Sequence, residues 1–175
     1  MRHPNRKGVT LAELVVVIAI IGAVVLALGP FVQKARERAY RAGCANHLRG
    51  IAVAIYKYAL AHNGAFPEVT NLSELAQTLS NPNTLYTDDL SLLTCPRTGH
   101  QNGPEKDARS ATIDYMYANG LRADSPPLAA LCADRVRGAT LSRDDNHGRS
   151  GINVLLVSGD VRWMTAVPNG KWVKE

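Results

Sequence analysis

The 175-residue chain carries 20 Lys and Arg against 15 Asp and Glu, a formal charge of +5. Arg2, Arg6 and Lys7 supply three of those charges ahead of the first apolar run, which leaves +2 for the rest of the chain; that is no nucleic-acid footprint. Three cysteines without CxxC spacing, and the lack of any internal repeat, low-complexity tract or phosphate-cradling glycine loop, argue against metal ribbons, solenoids and nucleotide-binding modules.

In chain order, a short basic leader, residues 1–8, ends in Lys7-Gly8 and is followed by Val9-Thr10-Leu11-Ala12-Glu13. From Leu14 to Val32 runs LVVVIAIIGAVVLALGPFV, with no charged or polar side chain. Nineteen helical residues at 1.5 Å each span roughly 28 Å, close to the hydrocarbon thickness of a bilayer. A cleaved secretory signal has a shorter apolar core and a small-x-small site beyond it, and residues 36–39 offer no such site. A plain signal anchor explains the length and the positive leader. It leaves unexplained both Gly8 after two basic residues and the single carboxylate, Glu13, at the membrane entrance, where charge is costly.

The run KGVTLAELVVVIAIIG resembles the cleavage and methylation segment of type IV pilins and type II secretion pseudopilins. The resemblance implies cutting after Gly8 by a prepilin peptidase, N-methylation of the new terminus Val9, and a role for Glu13 in assembly. Val9 and Ala12 stand where the family more often has Phe and a larger aliphatic residue, and Pro30 matches its usual mid-helix proline.

The physical logic of Glu13 stands apart from the family. Cleavage after Gly8 leaves an amine four residues upstream of Glu13. In a packed array each carboxylate can pair with a neighbour's amine, cancelling two charges that are expensive when buried alone. Such a pair fixes register between featureless apolar helices, as one polar residue does in a coiled coil. Pro30 removes a backbone donor and predisposes the helix to bend or loosen. Gly22 and Gly29 suit close helix approach or ordinary membrane-helix packing.

The helix is expected to continue to His62. Lys34-Ala35-Arg36-Glu37-Arg38 reads as a solvated face, and Cys44, Leu48, Ile51, Ala52, Ile55, Tyr58 and Ala59 recur at three and four, a single buried stripe. Gly43 and Gly50 weaken the helix without breaking it, and Gly64 with Pro67 ends it. The segment from Cys44 to Pro67 also resembles the second half of the helix in a large pseudopilin-like group. A short helix over Leu72–Leu79 is capped by Asn71 or Thr70 and ended by Ser80-Asn81-Pro82-Asn83. A polar loop over residues 98–109 follows, then strands at residues 113–117 and 128–133. Residues 153–157 and 160–164 read as a hairpin with the two-residue turn Ser158-Gly159. That register pairs Val154 with Trp163 and Leu156 with Val161, and lays all four on the helix near Ile51 and Ile55. Trp172 has no paired strand in this reading. The ending, with His147-Gly148 upstream, resembles the terminal hairpin of the same group, which more often has Asp-Gly at the turn.

His147 near Asp144, Asp145 and Ser142 invites a triad, but one Gly/Arg/Asn loop without a strand-turn-helix nucleophile setting is a poor frame for it. The reading names no catalytic residue, cofactor or metal. Calcium on Asp144, Asp145, Asn146 and Asp160 has the right oxygen hardness, and related major pseudopilins bind calcium in the head; EF-hand spacing is lacking. Cysteines suit a head outside the cytosol. Of the pairings open to three cysteines, the resemblance favours Cys44–Cys95. Cys95–Cys132 and reduced thiols stay open.

The expected architecture is α+β: leader 1–8, membrane-spanning helix 9–32, amphipathic helix 33–64 and an α/β periplasmic head 65–175. The expected role is a structural subunit held in the inner membrane, amino terminus cytoplasmic, assembled with itself and other pilin-like subunits by secretion or pilus machinery into a pseudopilus or pilus-like filament. The runner-up is a monomeric membrane-anchored periplasmic binding module.

Overall fold

A computed structural model describes residues 9–102, 107–138 and 140–173, with the side chain of residue 30 excepted. The chain divides into two compact units, Met1–Arg38 and Ala39–Glu175. Helix α1, Leu11–Ala61, contributes to both. Its backbone stays helical at position 30, so the missing donor of Pro30 does not interrupt it.

In the first unit every described side chain but one of residues 9–38 is exposed. Leu11–Gly29 is long and apolar enough to cross a membrane and is 0% buried. Such a surface is stable in lipid and unstable in water, where each exposed Val, Leu or Ile forgoes about 1.5–3 kcal/mol of burial.

In the second unit the stripe on α1 is buried as its spacing requires: Cys44, Leu48, Ile51, Ala52, Ile55 and Ala59, with Ala54 beside them. The helix ends in a Schellman turn. Asn63 takes the left-handed conformation (φ 52°) and the Gly64 N–H donates to the Ala59 carbonyl at 2.8 Å. Helix α2, Leu72–Leu79, begins where Asn71 Oδ1 accepts from the Glu74 N–H at 2.9 Å. It buries Leu72, Leu75, Ala76 and Leu79.

Four strands, β1 (Tyr115–Tyr117), β2 (Ala130–Asp134), β3 (Ile152–Leu156) and β4 (Val161–Met164), form an antiparallel sheet in that order. One face, with Tyr115, Tyr117, Leu131, Cys132 and Leu155, joins the α1 stripe in the main core. The other buries Ala130, Ala133, Ile152, Val154 and Leu156 under Leu141, Val167 and Trp172.

The hairpin register differs from expectation by one residue. Asn153 pairs with Trp163, Val154 with Arg162 and Leu155 with Val161. The turn is three residues: the Gly159 N–H donates to the Leu156 carbonyl at 2.9 Å, the Leu156 N–H donates to the Asp160 carbonyl at 2.9 Å, and Gly159 sits at φ 86°. A glycine in that conformation serves a three-residue loop as readily as a two-residue one, and each single-residue slip swaps the faces. Val154 and Leu156 therefore lie on the face away from α1, while Leu155 and Val161 face it. Trp172 has backbone partners after all: it bridges Ala118, and the Val173 N–H reaches the Tyr117 carbonyl at 2.8 Å.

Candidate processing segment and a buried sulfur–imidazole cluster

Gly8, the expected scissile residue, lies outside the described residues; Val9, the expected methylation site, is 78% exposed. Immediately after it, Thr10 and Glu13 form a capping box around the first turn of α1. Glu13 Oε2 accepts from the Thr10 N–H and hydroxyl, both at 2.8 Å, and Thr10 Oγ1 accepts from the Glu13 N–H at 3.3 Å. T-x-x-E is present in the sequence, so the cap was legible there. Its consequence is that Glu13 has work to do in a single chain, before any neighbour arrives.

The second constellation lies inside the second unit. Cys44 from α1, Cys95 from the loop after the 3-10 turn Leu90–Leu93, and His147 from the turn before β3 place two Sγ atoms and one ring nitrogen within 4.8 Å of one another. All three are at most 1% exposed, and the thiols are free. Cys95 Sγ is 4.0 Å from His147 Nε2. A hydrogen bond with Cys44 lowers the Cys95 pKa against the opposing effect of burial; the same contact and burial raise that of Cys44. Cys132 is buried elsewhere in the core and its thiol is raised by burial alone.

Asp134, at the end of β2, stands 3.5 Å from the same Nε2 with Oδ2, and both side chains are 0% exposed. Oδ2 also accepts from the Asn153 N–H at 2.6 Å and from Asn153 Nδ2 at 3.0 Å. Oδ1 has no hydrogen-bond partner among the described residues. Burial pushes this carboxyl up to about 6, with the Asn153 N–H and His147 opposing it. The Trp163 ring closes this end of the head: it meets the His147 ring edge-on at 5.6 Å and lies under the Arg41 guanidinium at 3.8 Å.

Local geometry explains how these segments meet. A Cβ on Gly43 would lie 3.1 Å from Pro96 Cγ, so the small residue lets the Cys95 loop rest on α1 beside Cys44. The Cys95 N–H donates to Asp114 Oδ2 at 3.0 Å, and that carboxylate also accepts from Thr98 Oγ1 at 2.7 Å and meets His100 Nδ1 at 2.8 Å.

The loop of residues 142–147 holds residues that offered a triad or calcium ligands in the sequence. Asp145 is buried and accepts the Arg137 N–H at 3.0 Å and the Ser142 N–H at 2.6 Å, serving the backbone of its own loop, while Asp144 is exposed. His147 turns inward to the sulfurs. Sequence reasoning singled out Cys44, Cys95 and His147 separately but not Asp134, whose one signal was a charge closing the otherwise apolar run Ala130-Leu131-Cys132-Ala133.

Comparison with known proteins bears on the first constellation. Residues 3–29 match the model of the prokaryotic N-terminal methylation motif. No curated protein and no solved structure matches the chain. The motif, covering the amino-terminal segment, supports a type IV pilin-like prepilin segment and hence a substrate of prepilin peptidase.

Proposed function

We propose that this chain is a structural pilin-like subunit. A prepilin peptidase cuts after Gly8 and the new terminus at Val9 is methylated. The helix holds the protein in the inner membrane with the head outside, until the subunit is drawn into a pseudopilus or pilus-like filament. The observation that carries this reading is the methylation motif over residues 3–29, continuous with a helix whose apolar surface over Leu11–Gly29 is wholly uncovered within the chain. A helix of this kind finds cover in lipid first and among like helices second. The reading assigns the head a structural role and no catalysis.

The capping box gives the alternative, a monomeric membrane-anchored binding module, a specific foothold, because it supplies Glu13 with a use that needs no neighbour. Two substitutions separate the readings. Glu13→Gln keeps a side chain that can cap and removes the charge needed to pair with a neighbour's amine. Thr10→Ala weakens the cap and keeps the charge. Filament formation, scored after overexpression in a host with the assembly machinery, is expected to fail for Glu13→Gln and persist for Thr10→Ala. Filaments from Glu13→Gln as abundant as those of the unaltered chain would remove the charge pair, and no filament from the unaltered chain would favour the monomeric anchor.

A further inference from the structure

We propose that Cys44, Cys95 and His147 bind a thiophilic divalent cation, zinc in the first instance, with Asp134 completing a buried four-ligand site.

The donor set suits such a cation: two sulfurs, an imidazole and a carboxylate are the groups structural zinc takes. Cys44, Cys95 and His147 bring their donor atoms within 4.8 Å of one another, and Asp134 reaches this trio at the His147 ring. Zn–S of about 2.3 Å, Zn–N of about 2.0 Å and Zn–O of about 2.1 Å at tetrahedral angles put S and N about 3.5 Å apart, and N and a carboxylate O about 3.3 Å apart. Cys95 Sγ to His147 Nε2 is 4.0 Å, and Asp134 Oδ2 to the same Nε2 is 3.5 Å. Asp134 meets the ring on the nitrogen that faces the sulfur, which is a ligand's place. An outer carboxylate that only orients the ring would bond its other nitrogen.

Burial supplies the second argument. A carboxylate at 0% exposure with one oxygen lacking a hydrogen bond is costly. Two sulfurs and an imidazole lie within 4.8 Å of one another in the same dry region, and a divalent cation among them would give that carboxylate a partner. The resemblance drawn from the sequence favours a Cys44–Cys95 disulfide instead. A disulfide would use both sulfurs, yet it would leave Asp134 Oδ1 buried with no hydrogen bond among the described residues.

The full chain, extracted in mild detergent without chelator, provides the test. Metal analysis should find about one zinc per chain, with Cys44 and Cys95 alkylating only after a chelator is added. Replacement by cobalt should produce a thiolate-to-cobalt charge-transfer band, lost in Cys95→Ser and His147→Ala and retained in Cys132→Ser, whose thiol lies outside the cluster. Should the first two variants fail to fold, zinc content and alkylation of the unaltered chain still decide. A chain lighter by two hydrogens whose Cys44 and Cys95 peptides remain linked would overturn the proposal. Metal-free protein with both thiols reacting at once would do the same. Neither result touches the processing reading, which depends on the amino terminus alone.

Discussion

Glu13 is held by Thr10 within the single chain, so assembly as proposed above would exchange one set of partners for another. The capping contact is worth about 0.5–2 kcal/mol, while a buried carboxylate with no partner costs several. The exchange therefore favours pairing only once the helix is packed among others. At the other end of the chain, the observed register revises what each tryptophan does. Trp163 covers Arg41, His147 and Gly151; a Cβ on Gly151, itself at φ 138°, would fall 2.6 Å from the indole. Trp172 shields the opposite sheet face and donates its indole N–H to the Pro168 carbonyl at 3.1 Å. Both rings are half-buried. Trp163→Ala and Trp172→Ala should each cost about 1–3 kcal/mol, against about 2–5 for Leu155→Ala in the core. Denaturant unfolding of the full chain in detergent checks the ranking. A loss for either tryptophan exceeding that for Leu155 would contradict it.

Among the elements, the helices were the most legible. Spacing at three and four marked the buried stripe of α1, and Asn71 and Ser80 bounded α2, because both signals are local. Gly43 and Gly50 looked like weaknesses in α1, and the structure gives them a reason: Pro96 lies over the first, and Leu92 over the second, where a Cβ would stand 2.9 Å from both Leu92 methyls. Gly50→Val should thus cost about 1–3 kcal/mol through overpacking, measured as a drop in thermal midpoint, even though the substitution removes a poor helix former. A midpoint unchanged or raised would show that the 90–96 segment does not rest on the helix as described. The strands were legible as elements and not as pairs. Apolar residues occupy every position of β3, Asn153 excepted, so alternation could not say which face was which. Gly159 signalled a turn without fixing its length.

For the whole molecule, the division of labour follows chain order. The amino-terminal unit carries a local motif readable residue by residue, and the carboxyl-terminal unit carries a core whose chemistry arises from long-range convergence. Cys44, Cys95, Asp134 and His147 are spread over some hundred residues, and no spacing rule links them; only the folded head brings them together. Processing at the amino terminus is the claim on which the proposed function depends, and intact-mass analysis of the protein extracted from membranes of a host with an active prepilin peptidase tests it most directly. The account predicts a chain that begins at Val9 and is heavier than residues 9–175 by one CH2, a methyl group in place of a hydrogen. A chain that retains Met1 there, or that begins at Val9 even in a host without the peptidase, would contradict it.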